Sequence, residues 1–341
     1  MQSLASLPSL PAEPRVSIVI PALNEERYIE ALLDSIESQT YPHHLIEVIV
    51  ADGGSTDTTR PIVELRARTT GLGALRLIEN ALGSTAGGLN AGAKAATGDV
   101  IIIAGAHSEL DPDFVRANVS ALQESGAAAT GGPIETLGVG RVASAIAAAM
   151  SHPFGVGDAK FRYASKPGDV DTIAFAAYRR EVFDALGDFD TTKDKAEDDD
   201  FNFRLRKAGG RLYLTPAVRS RYFARASYSG LWRQYSGYGS AKGRAFMDDP
   251  AALGPRHFVP MAVVLGGAGL LILAPVLKKA ARTLKLLMLA YALAAALSGK
   301  KASERNGAPW WLTAIAFPIM HGSYGSGMAL AILREWRARQ V

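Results

Sequence analysis

Short runs rich in Val, Ile and Leu alternate with amphipathic segments along the first hundred residues. The runs, each four to five residues long, are Val16–Ile20, Glu47–Ala51, Leu75–Ile78 and Val100–Ala104. Their length and β-branched content predict buried strands. Between the first two, Ile29, Leu32, Leu33 and Ile36 follow the spacing of a helix. Strands that alternate with helices predict a mostly parallel sheet with helices on both faces.

Polar loops follow three of these strands. They are Pro21–Glu26, Asp52–Asp57 and Gly105–Asp113. Sites in such sheets lie beyond the carboxyl ends of the strands, so we expect these loops to converge. The first strand–helix turn carries neither G-x-G-x-x-G nor a Walker A sequence, which argues against a dinucleotide-binding fold by motif.

An acidic run stands out in the middle of the chain. Val170–Ala177 reads as a strand, and Glu197–Asp200 then opens a helix that Gly209 ends. Four adjacent carboxylates have two interpretations. They are a solvated run at a helix N-terminus, where the macrodipole favours acidic residues, or one of them is a catalytic base.

Three apolar segments fill the C-terminal third: Phe258–Leu277, Leu284–Ser298 and Trp310–Leu333. The first and third approach or exceed the roughly 20 residues that span a bilayer, whereas the second suits a thin span, a re-entrant piece or an interfacial helix. Basic residues flank every segment, so the positive-inside rule cannot place all of them on one side if all three cross. We therefore expect the middle segment not to cross fully.

Two further regions complete the predicted organisation. Residues 1–14 contain three prolines and no signal-peptide pattern, which predicts a short disordered leader. From Tyr222 to Phe246 aromatic and basic residues interleave, as in a membrane-interface segment or an ordinary surface hairpin. The expected domains are a catalytic domain over 15–221, interfacial helices over 222–257 and a membrane-embedded region over 258–341.

The composition excludes several kinds of chemistry and indicates the class of partner. The chain has 341 residues, no cysteine and 37 Lys+Arg against 33 Asp+Glu. The missing cysteines exclude disulfides, thiolate chemistry and cysteine-ligated zinc. The mild basic excess suits an anionic membrane surface, and no nucleic-acid motif is present, so we expect a membrane partner and no nucleic acid.

The ordered motifs resemble those of family 2 glycosyltransferases, inverting nucleotide-sugar enzymes of the GT-A fold. They are Val16–Glu26, Ala51–Asp57, Gly88–Asp99 and Glu197–Leu205. Gly131-Gly-Pro, Arg233–Gly239, Gly243-Arg244 and Met320-His321 are similar to succinoglycan-biosynthesis-type membrane-bound glucosyltransferases. The resemblance implies an α/β GT-A domain, followed by a membrane-embedded helical region.

The resemblance also implies roles for individual residues. Asp198 would be the catalytic base, with Glu197 beside it, and Asp199 and Asp200 would be solvated or paired helix positions. The predicted nucleotide-binding residues are Pro21, Leu23, Glu25, Asp52 and Asn90. Arg225, Arg233 and Arg244 are candidates for contacting diphosphates of the nucleotide or of a lipid acceptor, with membrane headgroups as the alternative.

The metal motif departs from the family pattern. Where relatives carry Asp-x-Asp or Asp-x-His, this chain reads Gly105-Ala106-His107. His107 keeps a possible ligand for a divalent cation, Mn²⁺ or Mg²⁺, but the first carboxylate is missing; imidazole favours Mn²⁺ of the two. Metal affinity would then rest mainly on the nucleotide diphosphate. Glu109 and Asp111 are alternative oxygen donors, but Asp111-Pro-Asp113 falls at a helix start, where its carboxylates are expected to be caps.

The expected function is transfer of one sugar, a hexose from a UDP-sugar, to a lipid-linked acceptor in exopolysaccharide or cell-envelope glycan synthesis. Gln234–Tyr238 lacks the Arg-Trp of the processive Gln-x-x-Arg-Trp motif, which favours single transfer. Nucleotide sugars are cytosolic, so the catalytic domain would face the cytoplasm at the inner membrane. The alternatives are a polyprenyl-phosphate glycosyltransferase and a non-catalytic nucleotide-binding scaffold of a polysaccharide assembly complex.

Overall fold

The predicted alternation of strands and helices is present in the structure, a computed structural model that describes residues 3–193 and 196–340. The chain divides into two units. The sheet unit comprises Met1–Glu135 and Tyr163–Tyr222, and the helical unit comprises Thr136–Arg162 and Phe223–Val341. The break after residue 222 lies next to the boundary expected after residue 221, which stays a prediction. The placement of 136–162 with the C-terminal helices was not predicted.

The described residues form eleven strands and twelve α-helices. The strands are β1 Val16–Ala22, β2 Ile46–Asp52, β3 Ala74–Glu79, β4 Val100–Ile103, β5 Ser108–Leu110, β6 Ala129–Gly131, β7 Ile134–Leu137, β8 Gly168–Val170, β9 Ala177–Arg179, β10 Leu212–Leu214 and β11 Ser220–Phe223. The helices are α1 Ile29–Glu37, α2 Thr59–Thr69, α3 Thr85–Ala95, α4 Phe114–Ser125, α5 Arg141–Met150, α6 Pro153–Val156, α7 Arg180–Leu186, α8 Glu197–Lys207, α9 Tyr228–Asp248, α10 Val259–Leu273, α11 Lys278–Ser303 and α12 Trp310–Ala338.

The main sheet has the strand order β3-β2-β1-β4-β9-β6-β10-β8. Strand β1 runs parallel to β2 and β4, and β2 runs parallel to β3, as predicted. Strand β9 is antiparallel to β4, with Ala177 opposite Ile102. The residues just before β9 therefore reach the carboxyl edge of β4, where the polar loops lie. A second sheet has the order β5-β11-β7.

Both faces of the main sheet are covered, which explains why its central strands are almost wholly apolar. Ile18 and Val48 pack with the apolar stripe of α1 on one face. Their neighbours Val19 and Ile49 point to the opposite face, because side chains alternate along a strand. There they meet a cluster that includes Phe201 and Leu205 of α8, both fully buried. Burial of these two side chains anchors the helix that begins with the acidic run.

The structure corrects two predictions for the sheet unit. The strand expected over Val170–Ala177 is absent as such; β8 ends at Val170, β9 begins at Ala177, and Phe175 between them has φ +54°. The described part of the predicted disordered leader, 3–14, instead packs along the unit. Leu4 is buried and its N–H donates to the Ala208 carbonyl at 2.9 Å. An apolar anchor at position 4 outweighs the prolines that suggested disorder.

Close backbone approach characterises the helical unit. Helices α9 and α12 pack against each other, and a Cβ at Gly239 would stand 2.0 Å from the Tyr324 carbonyl oxygen. Only a residue without a side chain permits this separation, as in the small-residue interfaces of membrane helices. Phe317, Met320 and Met328 of α12 are fully buried.

Two helices among the described residues are long and apolar enough to cross a membrane, judged by length and composition. They are Pro255–Leu273 and Lys278–Ser303. Many of their exposed side chains are large and apolar, and Val276 in the connecting turn is 81% exposed. The sequence favoured the first and third apolar segments as membrane spans. In the structure the candidates are the first and second, because the second segment belongs to the 26-residue helix α11. Helix α12 contains the third apolar segment, and its apolar run is interrupted by His321, Ser323 and several glycines.

Candidate active site

The loops after β1 and β2 interlock through backbone hydrogen bonds. The N–H of Asn24 donates to Ser55 Oγ at 2.8 Å, and the N–H of Thr56 donates to Asn24 Oδ1 at 2.9 Å. Asn24 has φ +56°, a conformation that Asn tolerates better than most residues. Pro21 is the penultimate residue of β1, and Leu23 begins the loop that follows and is 47% exposed. The two loops therefore form one continuous surface, on which Leu23 is available to a ligand.

Asp52 ends β2, and its carboxylate is completely buried. Oδ2 accepts hydrogen bonds from the N–H groups of Gly54 and Ser55 at 3.1 Å and from Arg60 Nη1 at 2.8 Å. Burial by itself would raise the pKa of Asp52, but the hydrogen bonds from Ser55, Arg60 and Gly54 outweigh it and lower the pKa. Asp52 is therefore an ionised group that shapes its own loop, and its contact with a nucleobase stays a prediction.

His107 lies in the tight turn after β4. The Gly105 carbonyl accepts hydrogen bonds from the N–H and the hydroxyl of Ser108, which closes the turn. His107 Nδ1 lies 3.4 Å from Glu25 Oε1, and the rings of Tyr28 and Tyr222 approach it edge-on. If Nδ1 carries the proton and donates to Glu25, then Nε2 keeps its lone pair, which is the arrangement of metal-binding histidines.

The donors at this edge fit a divalent cation only in part. Position 105 supplies no ligand, and a Cβ there would stand 3.0 Å from Cε1 of Phe175. The side chains of His107 and Glu25 remain 34% and 21% exposed. Within residues 3–193 and 196–340, no group of three or more His, Asp or Glu side chains could hold a metal ion. A cation would be held by His107, oriented by Glu25, with the other ligands supplied by a bound diphosphate.

The acidic run forms the first turn of α8, directly after Ala196, which has φ +62°. Asp199 Oδ1 accepts a hydrogen bond from Thr172 Oγ1 at 2.6 Å, and Asp200 Oδ2 accepts one from Arg204 Nε at 2.9 Å. Both carboxylates are thus paired, which agrees with the expectation of solvated or paired positions. Asp198 is half-buried, and its Oδ1 accepts a hydrogen bond from the N–H of Asp199 at 2.9 Å.

A chain of buried hydrogen bonds fixes this turn. Tyr178 Oη donates to Asn202 Oδ1 at 2.8 Å, and Asn202 Nδ2 donates to Thr172 Oγ1 at 3.1 Å. Burial, and next the charges of Asp198 and Asp199, raise the pKa of Tyr178, so the phenol is neutral and acts as the donor. The threonine hydroxyl can then donate only onward, to Asp199. The sequence did not indicate this chain, because its members are up to 30 residues apart.

The pKa of Glu197 is shifted in the opposite direction to that of Asp52. Its burial raises the pKa of the carboxyl group; the hydrogen bond from its own N–H lowers that pKa, and the negative charge of Asp199 raises it again. The net shift is upward. A carboxyl group with a raised pKa beside another carboxylate is typical of sites that handle protons.

Asn90, predicted to lie near the nucleotide, is engaged by the chain itself. Its Nδ2 donates to the Phe189 carbonyl at 2.9 Å, and its Oδ1 accepts from the Phe189 N–H at 2.7 Å. The paired amide holds the turn that leads toward the acidic run. A role in nucleotide binding stays a prediction.

The three candidate arginines belong to the helical unit. Arg225 and Arg233 are exposed, and Arg244 is half-buried; the last two lie on α9. Their predicted contacts with diphosphates or headgroups are therefore assigned to a different unit from Asp198, and they stay predictions.

Known proteins are similar in sequence to this chain over most of its length. The family model "Glycosyl transferase family 2" matches residues 17–187. The succinoglycan biosynthesis protein ExoA of Rhizobium meliloti is 32% identical over 72% of this chain and 74% of its own. The dolichyl N-acetyl-α-D-glucosaminyl phosphate 3-β-D-2,3-diacetamido-2,3-dideoxy-β-D-glucuronosyltransferase of Methanococcus voltae is 31% identical over 67% of this chain and 73% of its own.

Solved structures share the fold. The mannosyltransferase PcManGT of Pyrobaculum calidifontis, in complex with GDP-Man and Mn²⁺, aligns with a TM-score of 0.65 over 98% of this chain and 91% of that chain, at 22% identity. At that identity the likeness supports the GT-A architecture. Together with the sequence relatives, these findings confirm the resemblance read from the motifs: the chain belongs to glycosyltransferase family 2, and it is a glycosyltransferase.

Proposed function

We propose that this enzyme transfers a single hexose from a nucleotide sugar, with UDP favoured, to a lipid-linked acceptor during exopolysaccharide or cell-envelope glycan synthesis, with inversion at the anomeric carbon and Asp198 as the base. The observation that carries the proposal is the acidic first turn of α8. Two of its four carboxylates, Asp199 and Asp200, are paired with a hydroxyl and a guanidinium. By their positions in the family motif, Glu197 and Asp198 are the candidates for proton transfer.

The proposed reaction is one direct displacement. The acceptor hydroxyl oxygen forms a bond to the anomeric carbon while the bond from that carbon to the nucleotide diphosphate breaks on the opposite side. Asp198 takes the hydroxyl proton as the oxygen attacks and later releases it to solvent. Thr172 and Asn202 fix the turn through Asp199, which limits the motion of the base.

A divalent cation, when bound, would neutralise charge on the departing diphosphate. His107 would be its protein ligand through Nε2, and Glu25 would orient the imidazole. PcManGT was solved with Mn²⁺, and imidazole is a ligand that Mn²⁺ accepts. Arg225, Arg233 and Arg244 are further candidates for contact with diphosphates.

The lipid-linked acceptor is inferred from the apolar helices and from a relative. Residues 255–273 and 278–303 expose apolar side chains along helices long enough to cross a bilayer. The Methanococcus voltae relative is named for a dolichyl-phosphate-linked sugar. We place the enzyme in the inner membrane with its catalytic unit on the cytoplasmic face, where nucleotide sugars are available.

The test uses membranes that contain the full-length enzyme. They are incubated with labelled UDP- and GDP-sugars in turn, the lipids are extracted, and the anomeric configuration of the product is read by NMR. We expect one donor to label a lipid-linked glycan with inverted configuration. Label on a bare polyprenyl phosphate would change the acceptor class; no labelled lipid with any donor, or retained configuration, would contradict the proposal.

A further inference from the structure

The segment Thr172–Phe175 lies where the sequence predicted a regular strand. Phe175 has φ +54°, a left-handed conformation that a bulky aromatic residue rarely adopts. Such a residue persists only where its surroundings determine the backbone on both sides, and it often marks a functional site. The contacts of this segment show what holds it.

Both ends of the segment are fixed by distant residues. The carbonyl of Ala176 accepts a hydrogen bond from the N–H of Ile103 at 3.0 Å, at the end of β4. The carbonyl of Ile173, a fully buried residue, accepts one from Asn202 Nδ2 at 3.0 Å. The chain must turn between these two points, and Phe175 takes the left-handed conformation that the turn requires.

The ring of Phe175 lies against Gly105. A Cβ at position 105 would stand 3.0 Å from Cε1 and 3.3 Å from Cζ of this ring, closer than ordinary van der Waals contact allows. Gly105 opens the tight turn that carries His107. The ring therefore braces this turn and occupies the space in which a side chain at position 105 would begin.

At its other end the segment reaches the acidic turn. Thr172 donates to Asp199 at 2.6 Å, next to Asp198. We infer that Thr172–Phe175 is a positioning element that joins the two halves of the proposed nucleotide-sugar site: Phe175 sets the His107 turn, and Thr172 sets the carboxylates. The inference rests on the proposed function. Gly105 and Phe175 form a matched pair, because the Phe175 ring occupies the space that a side chain at position 105 would need. This contact explains why position 105 carries no carboxylate.

A double-mutant cycle tests the pair in the full-length protein. Gly105→Ala, Phe175→Ala and the double variant are compared by their Mn²⁺-dependent binding of UDP and GDP and by their unfolding temperatures. Gly71→Ala is the control, because a Cβ there meets nothing within 4 Å. We expect Gly105→Ala to weaken binding about tenfold in the wild-type background and less than threefold when Phe175 is Ala.

The outcomes separate this inference from the proposed function. The matched pair would be contradicted if Gly105→Ala and Phe175→Ala changed nucleotide binding independently of each other. It would also be contradicted if Gly105→Ala behaved like Gly71→Ala. Wild-type protein that binds neither nucleotide would overturn the donor site, while the unfolding temperatures still measure the coupling. If Gly105→Ala does not fold, then Phe175→Leu with an unchanged affinity and unfolding temperature would contradict the brace.

The hydrogen bond from Thr172 to Asp199 is tested with a conservative variant. Thr172→Ser keeps the hydroxyl and should retain kcat within about threefold, whereas Thr172→Val should lower kcat at least tenfold with the nucleotide affinity unchanged. Equal kcat values for the two variants would overturn the positioning role of Thr172.

Discussion

The loops after β1 and β2 and the first turn of α8 both concentrate carboxylates, but they hold them differently. Asp52 takes its hydrogen bonds from Gly54, Ser55 and Arg60, all within eight residues. Asp199 accepts a hydrogen bond from Thr172, 27 residues away, and the pKa of the half-buried Glu197 is raised. Asp52 is therefore held by its own loop, whereas the carboxylates of the α8 turn depend on contacts that are distant in the sequence.

Removal of the Asp52 carboxylate should have the largest effect on stability. Asp52→Ala would remove the acceptor of the Gly54 and Ser55 N–H groups, which are partly exposed, and of Arg60, whose side chain is 42% exposed, so we expect a loss of about 2 kcal/mol of unfolding free energy. Denaturant unfolding measures this. The control is Asp169→Ala, which breaks an exposed pair with Arg211 and should cost less than about 1 kcal/mol. Equal losses in the two variants would show that Asp52 is not a local organiser.

The His107–Glu25 contact should affect metal binding rather than stability. Glu25→Ala removes the acceptor that orients the imidazole, so we expect Mn²⁺ affinity in the presence of UDP or GDP to fall about tenfold. Electron paramagnetic resonance of free Mn²⁺ reports this without turnover. His43→Ala is a matched control, since that ring contacts the Gln39 carbonyl instead. An unchanged affinity in Glu25→Ala would remove Glu25 from the metal site.

Glu197 should give a smaller, pH-dependent effect. A carboxyl group whose folded pKa is raised favours the folded state fully below its unfolded pKa, near 4.5, and loses that contribution as pH rises through the folded pKa. Glu197→Gln stays neutral, so its unfolding temperature should exceed that of the wild type by a margin that grows as pH rises from about 4.5 and then levels off. A margin that shrinks with rising pH would contradict the assigned burial.

Local sequence pattern predicted much of the sheet unit. The β-branched runs marked β1 to β4, and the acidic run marked the start of α8, because burial on two faces and helix-end charge leave local signals. The break at Phe175 left none, since hydrogen bonds from Ile103 and Asn202 produce it. The membership of 136–162 in the helical unit was missed for the same reason: tertiary packing, rather than local composition, decides it.

The assignment of Asp198 as the base is tested by comparing two aspartates of the same helical turn. Asp198→Asn and Asp200→Asn are assayed for sugar transfer in membranes and for binding of the donor nucleotide. We expect Asp198→Asn to lower kcat by a factor of about 100 or more with nucleotide affinity nearly unchanged, while Asp200→Asn, which removes the carboxylate partner of Arg204, stays within about threefold. Undiminished transfer by Asp198→Asn would contradict the assignment of the base.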